Sequence, residues 1–377
     1  MGLYDKIFKP KKLVLANGKV VEEKCSRAPL IIILIVIATW ISVKVTGFSM
    51  TTLVTRIRFF FDILAQMFPP KAGYISSIWG PLFDTIKMSL LGSFVGGVLA
   101  IPFAILASSN LIKNKVVIGV VRVFLSIVRT IPTLVAALIA TYIWGLGTMA
   151  GTFAIAVFTF AYVGKQLYEM IETVDMGAYE AMEAMGAGKA YSFISAIMPQ
   201  VLPAYMSVCL FCFEGNVRYA AILGYVGAGG LGLILNEKIS WREFHKVGTI
   251  LLLLFLTVCV IESANRYFTA VIHSGQIAEL FSGRKDLSKK TRISGRMILF
   301  GFAVLFLFCL ATQTPPDFSR TSAVALKSMA AGLTHPDWSF FFSAKKDGLG
   351  YLLLETICIA IVGTAIGAFL AAPLAFL

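Results

Sequence analysis

The chain has 377 residues, 58% of them hydrophobic and only 14% charged, with a mean hydropathy of +0.83. Soluble domains hold about 45–50% apolar residues, so a single water-soluble globule is excluded and an all-α polytopic membrane protein is implied. The formal charge of +13 does not mark a nucleic-acid partner. Its basic residues flank apolar runs, as in cytoplasmic loops, rather than forming one stripe interleaved with aromatics.

Residues 1–28 are basic (Lys6, Lys9, Lys11, Lys12, Lys19, Lys24, Arg27), which predicts a cytoplasmic amino terminus. The apolar run that follows has no small-residue cleavage site and reads as an anchor, the first span, at about residues 29–50. Residues 51–80, rich in Phe and Trp, read as an outer interfacial segment. The second span, about 82–106, contains Gly92, Gly96 and Gly97, small residues that let helices approach closely. Lys113 and Lys115 mark the return to the cytoplasm. Residues 116–144 carry Arg122, Arg129 and a break at Thr130-Ile131-Pro132. That pattern predicts an interfacial helix, then a third span from about Ile127. A tight outer turn at 145–151 leads to a fourth span at 152–163, ending near Lys165.

Residues 166–192 are polar enough to be cytoplasmic. A fifth span is expected at 199–213, with Pro199 in its first turn, where a missing N–H costs nothing. Residues 214–246 are expected to lie outside or re-enter the membrane, followed by a sixth span at 247–261. Residues 266–296 then hold seven basic side chains against Glu279 and Asp286. A seventh span is expected at 297–310, a mixed outer segment at 313–348 and an eighth span at 350–377.

That last run repeats the second. Thr85, Gly92, Gly96, Ala100, Pro102 and Ala104 recur as Thr356, Gly363, Gly367, Ala371, Pro373 and Ala375, all at an offset of 271. A constant offset with matched glycine and proline positions is the mark of an internal repeat. The expected organisation is a basic terminus (1–28), a six-span unit (29–266), a basic linker (267–296) and the start of a second unit (297–377). The second unit is expected to be truncated before it reaches a loop like 176–198.

Two soluble-enzyme look-alikes fail on inspection. Gly186-Ala187-Gly188-Lys189-Ala190 lacks both the earlier glycine and the Ser or Thr of a phosphate loop, with Glu183 and Ala190 in those places. Gly227-Ala228-Gly229-Gly230-Leu231-Gly232 matches G-x-G-x-x-G but follows an apolar helix rather than a strand. Cys209 and Cys212 form a C-x-x-C inside an apolar run without a second ligand pair, which favours packing. His245, His273 and His335 are isolated. No metal site, cofactor or catalytic triad is expected.

Between the fourth and fifth spans, Glu180, Ala181 and Gly186 fit E-A-x-x-x-x-G, with Pro199 thirteen residues past the glycine. This resembles the coupling loop of ATP-binding-cassette importer permeases, usually E-A-A-x-x-x-G, with Met182 in the third place. A short helix of this kind fits a groove of an ATPase, its glutamate meeting a basic partner, and Gly186 permits the bend that follows. Phe213-Glu214-Gly215-Asn216-Val217-Arg218, then Leu223-Gly224-Tyr225-Val226-Gly227-Ala228-Gly229-Gly230-Leu231-Gly232, with Arg129-Thr130-Ile131-Pro132 upstream, is similar to the phosphonate importer permeases.

The resemblance implies a bacterial inner-membrane subunit that does no chemistry itself and needs a separate cytoplasmic ATPase dimer, which binds ATP and magnesium. It also implies an extracytoplasmic phosphonate-binding protein and a second permease unit, either a copy of this chain or a paralogue. Glu180, Ala181, Glu183, Ala184, Gly186 and Pro199 would serve coupling. Arg129, Glu214, Asn216, Arg218, Gly224, Gly227, Gly229 and Gly230 would line the path or outer gate. Glu214 and Arg218 lie four apart, so an intrahelical ion pair is the competing reading of that charge. The alternatives are a permease of the same class for phosphite, phosphate or methionine, and, from another class, a membrane lipid enzyme or a channel.

Overall fold

A computed structural model describes residues 12–14, 20–22, 28–273, 307–312, 327–328, 331–332, 334–335, 338–342 and 348–374. A short hairpin pairs β1 (Lys12–Val14) antiparallel with β2 (Val20–Glu22). The sequence between them carries Asn17-Gly18, a pair suited to tight hairpins. The helices are α1 (Ala28–Thr46), α2 (Met50–Gln66), α3 (Ile75–Ala107), α4 (Lys115–Thr130), α5 (Thr133–Trp144) and α6 (Thr148–Glu172). There follow α7 (Gly177–Ala184), α8 (Lys189–Ser192), a π-helical stretch (Phe193–Ile197), α9 (Met198–Leu223), α10 (Gly230–Ser240), α11 (Phe244–His273) and α12 (Leu349–Leu374). Among the described residues six helices are long and apolar enough to cross a membrane, and α4 with α5 forms a seventh candidate bent by 86°. This is an α-helical multi-pass membrane protein. The expected span at 297–310 lies almost wholly outside the described residues.

The chain divides into two compact units, Met1–Phe60 with Ala331–Leu377, and Phe61–Ala330. In the first, α1 packs on α12. The division differs from the expected one, which joined residues 29–60 to the six-span unit.

In the second unit α3 and α6 form the central pair. A Cβ on Gly92 would sit 2.6 Å from Ile155 Cγ2, and one on Gly96 only 2.5 Å from the Ala156 carbonyl oxygen. The predicted close approach is therefore made against α6, where lipid offers no hydrophobic drive and van der Waals contact must hold helices together. At the amino-terminal end of α3, Ile78 and Leu82 join Leu231 and Leu235 of α10 and Val247 and Ile250 of α11 in one apolar cluster.

Several helix ends fall elsewhere than expected, each for a local reason. The third span does not begin at Ile127. Pro132 pushes Ile131 into extended conformation (φ −72°, ψ 118°), so α4 runs through Thr130 and α5 keeps 12 residues. At 1.5 Å per residue α5 reaches about 18 Å, short of a bilayer core of about 30 Å, and α4 and α5 pass as a span only as a pair bent by 86°. The outer turn is confined to Gly145–Gly147, and α6 starts at Thr148 and continues past Lys165, which pairs with Glu169 at 3.2 Å. The fifth span does not stop at Phe213: Glu214 pairs with Arg218, Asn216 is bonded to α3 and α6, and the helix continues to Leu223. Its α-helix starts at Met198 with Pro199 in the first turn, as expected, but a π-helical stretch runs into it from upstream. The Met198 N–H reaches back to the Phe193 carbonyl, an i→i+5 bond, and this wide turn accommodates a proline within a continuing helix.

Candidate functional site

The element expected to serve coupling is α7 with its flanks. Its C-terminus closes by two backbone bonds, Gly186 N–H to the Glu183 carbonyl (2.9 Å) and Ala187 N–H to the Met182 carbonyl (3.0 Å). Gly186 has φ +86°. These are the bonds and the left-handed residue of a Schellman turn, so the glycine is required by conformation, as a substitution there would be strained even in open space. The inner face of α7 is tied down by Tyr179, which is 6% exposed. It packs with Ala104 of α3, Leu167 and Ile171 of α6 and Ile197 and Val201 of the α9 root. Met182, in the place of the family's alanine, lies against the same cluster.

Glu180, Ala181, Ala184 and Gly186 are exposed, as is Met185 at 79%. Glu183 is half-buried and accepts the Tyr179 hydroxyl at 3.1 Å. Burial, and then this carboxylate, raise the Tyr179 phenol above its ordinary pKa, so it stays a neutral donor. The six residues predicted for coupling therefore split three ways. Glu180, Ala181, Ala184 and Gly186 form an outward surface, Glu183 anchors it, and Pro199 shapes the helix behind it. Sequence reasoning missed Tyr179 and Gln200. The Gln200 side-chain amide donates to the Ala196 carbonyl (2.8 Å) and to the Asp175 carbonyl (3.2 Å), joining α9 to the approach to α7.

Across the membrane, the polar residues of α9 are held in two different ways. Asn216 is 1% exposed. Its side-chain amide donates to Ser93 Oγ of α3 (2.8 Å) and Thr159 Oγ1 of α6 (2.9 Å), and its backbone carbonyl accepts from the Ser89 hydroxyl (3.3 Å). Expected as a path residue, it joins three helices at one buried point. The geometry brings Glu214 and Arg218 together as the intrahelical pair, and Asn265 of α11 donates to Glu214 Oε2 at 3.3 Å. Arg218 remains 52% exposed in its side chain. Arg129 is exposed at the last turn of α4, near Arg122 and Lys165.

The glycines after α9 build the turn into α10 that is expected on the outer side. Gly224 and Gly232 bring α9 and α10 into backbone contact, since a Cβ on Gly224 would lie 2.1 Å from the Gly232 carbonyl carbon. Gly227, Gly229 and Gly230 have positive φ, and the Gly227 carbonyl accepts from Gly147 N–H at 3.0 Å. Next to them, Thr85 Oγ1 accepts the Leu231 N–H at 2.7 Å. Thr85, Ser89 and Ser93 stand four apart on α3. That spacing is a signal for the buried polar seam, and it was legible in advance.

Comparison with known proteins agrees with this layout. Residues 100–271 match the model of the family described as "Binding-protein-dependent transport system inner membrane component". The chain is 32% identical over 201 residues to the phosphate-import permease protein PhnE of Mycolicibacterium smegmatis, covering 53% of this chain and 38% of that one. It thus spans well under half of that relative's length. It is 32% identical over 214 residues to the phosphite transport system permease protein PtxC of Stutzerimonas stutzeri, covering 56% of this chain and 78% of that one. Among solved structures, a chain of the inward-facing MetNI methionine ABC transporter aligns at 23% identity and a TM-score of 0.48, covering 54% of this chain and 99% of that one. The residues matched by the family model include α7 and the glycine turn after α9, the phosphite permease is covered over 78% of its length at 32% identity, and the chain belongs to the family of binding-protein-dependent transport inner membrane components.

Proposed function

We propose that this chain is the membrane-spanning permease subunit of an ATP-driven importer for small phosphorus oxyanions of the phosphonate type. The observation that carries the reading is α7 itself. It presents a small-residue, glutamate-bearing surface outward while Tyr179 seats it among the ends of α3, α6 and α9. A push on that surface reaches three helices at once. An ATPase dimer, which alone binds ATP and magnesium, docks under α7, and a binding protein delivers substrate on the opposite side. The amino terminus lies in the cytoplasm, and a second permease unit, a copy or a paralogue, completes the path.

Arg218 and Arg129 are assigned to the route of an anion, since cationic side chains at a pore favour anions. Gly224, Gly227, Gly229 and Gly230 form the outer turn that must move. Asn216 belongs to the frame of the route rather than to its wall. Relatives named for phosphate and phosphite support the oxyanion class.

The test is uptake and ATP hydrolysis in proteoliposomes holding the assembled transporter, with methylphosphonate, phosphite, phosphate and methionine offered in turn. Gly186→Pro should abolish uptake, because proline cannot adopt positive φ, and Glu180→Ala should reduce it severalfold. Uptake unchanged in both variants would overturn the coupling assignment. Methionine stimulating ATP hydrolysis while the three oxyanions do not would overturn the substrate class.

A further inference from the structure

One knot of side chains at the cytoplasmic end is used neither by the coupling surface nor by the anion route. Arg122 of α4 donates to the carbonyl of Ala107, the last residue of α3, from Nε (2.9 Å) and Nη2 (2.8 Å). The same Nη2 pairs with Glu172, the last residue of α6. Glu172 also accepts the Ser109 backbone N–H at 2.8 Å and the Ser109 hydroxyl. Asn110 Nδ2 donates to the carbonyls of Ile171 and Glu172, both at 3.1 Å, and the guanidinium lies 4.7 Å from the centre of the Tyr168 ring.

Helix C-termini leave carbonyls without intrahelical partners and carry partial negative charge. Here two such ends, of α3 and α6, are gathered on one planar cation and one amide. A guanidinium suits the task because its donors lie in a fixed fork, whereas an ammonium is a point charge that cannot hold both partners in the same geometry. The placement matters more than the bonds. Residues 173–176 alone separate Glu172 from α7. Arg122 sits on α4, which leads through the break at Pro132 into α5.

We propose that the Arg122–Glu172 pair is a clasp that makes α4 follow the coupling helix, so that movement of α7 reaches the bent helix pair α4–α5. Arg122 is then a positioning residue for transport, acting through Glu172 and contacting neither ATPase nor substrate. This rests on the coupling role assigned to α7. A static cap on two helix ends would instead lower the amount of folded protein without altering the work done per ATP.

The experiment compares Arg122→Lys and Glu172→Gln with Gly186→Pro in the assembled transporter in proteoliposomes. It reads ATP hydrolysed per methylphosphonate and per phosphite taken up, normalised to complex recovered by size exclusion. The clasp predicts that Glu172→Gln raises the ATP spent per anion by about tenfold, within the usual range of coupling between sites, while hydrolysis per complex stays within about twofold. Arg122→Lys, which keeps the charge but not the double hold on Ala107, should fall between wild type and Glu172→Gln. Hydrolysis and uptake falling in parallel, or neither changing while Gly186→Pro abolishes uptake, would overturn the clasp and leave the coupling role intact. Gly186→Pro behaving as wild type would overturn the coupling role, and the clasp with it.

Discussion

Helices α3 and α12 carry the same pattern of small residues 271 positions apart, and the structure treats them in opposite ways. On α3, Thr85, Ser89 and Ser93 are at most 5% exposed, and Gly92 and Gly96 touch α6 closely enough to exclude any side chain. On α12, Thr356, Gly363, Thr364 and Gly367 are exposed, and a Cβ on either glycine would meet nothing within 4 Å among the described residues. The face of α12 that does pack, through Cys358 and Val362, is a different one. A stripe of glycine and hydroxyl residues therefore records a capacity for close approach. Whether that capacity is spent depends on a facing helix such as α6, with Ile155, Ala156 and Thr159 at the right heights.

Paired substitutions put the comparison at risk, and the largest effect belongs to the glycines. In Gly96→Leu the new side chain collides with backbone, which cannot rotate away, so α3 and α6 must separate. Overpacking of this kind costs about 3 kcal/mol or more, enough to move most of the protein out of the monodisperse peak in detergent. Gly367→Leu meets open space and gains up to about 1 kcal/mol in helix propensity, so its thermal unfolding should match wild type or rise slightly. Equal loss in both variants would mean that α12 is packed as α3 is.

Next come the positions that face Asn216. Ser93→Val removes one acceptor of the buried amide and adds bulk beside it. An unsatisfied buried group costs about 1–3 kcal/mol, so a thermal shift of several degrees in detergent is expected. Thr364→Val, at the matched and exposed position, should shift it by less than about 0.5 kcal/mol.

Much of this architecture could be read before any coordinates. The long apolar runs, the bend near Pro132 and the turn at Gly186 are local properties of composition, proline sterics and glycine freedom. The helix ends at Ile75 and Leu223 were missed because their warrant is tertiary. Ile78 is buried only because α10 and α11 return to cover it, and Glu214 stays in a continuing helix only because Arg218 and Asn265 satisfy it. Pro199 was legible as the first turn of α9, but nothing in its neighbours announces the π-helical stretch at Phe193–Ile197 that leads into it. Asn216 and Arg122 were visible as polar residues in apolar surroundings. Their partners lie 57 to 127 and 15 to 50 residues away, distances at which pattern carries no pairing information. The outward face of α7 was predicted from resemblance, whereas the buried tyrosine that gives it leverage came from geometry.

The smallest and cleanest test concerns Thr85 and Thr356. Both threonines turn a hydroxyl back onto their own helix, Thr85 to the Pro81 carbonyl at 2.9 Å and Thr356 to the Leu352 carbonyl at 2.7 Å. That bond is common to the two sites and cancels in the comparison. What differs is that Thr85 Oγ1 also accepts the N–H of Leu231, in the first turn of α10, where no intrahelical partner exists for it. Valine keeps the shape and β-branching at each site, so packing changes little and the difference isolates one interhelical hydrogen bond. Such bonds average about 0.6 kcal/mol in membrane proteins. Thr85→Val should therefore lower stability by about that amount more than Thr356→Val does. It should also raise amide exchange at Leu231 and Gly232 selectively, since α10 loses its tether to α3. A Thr85→Val variant with unchanged exchange there would show that the glycine contacts of the outer turn hold α10 unaided.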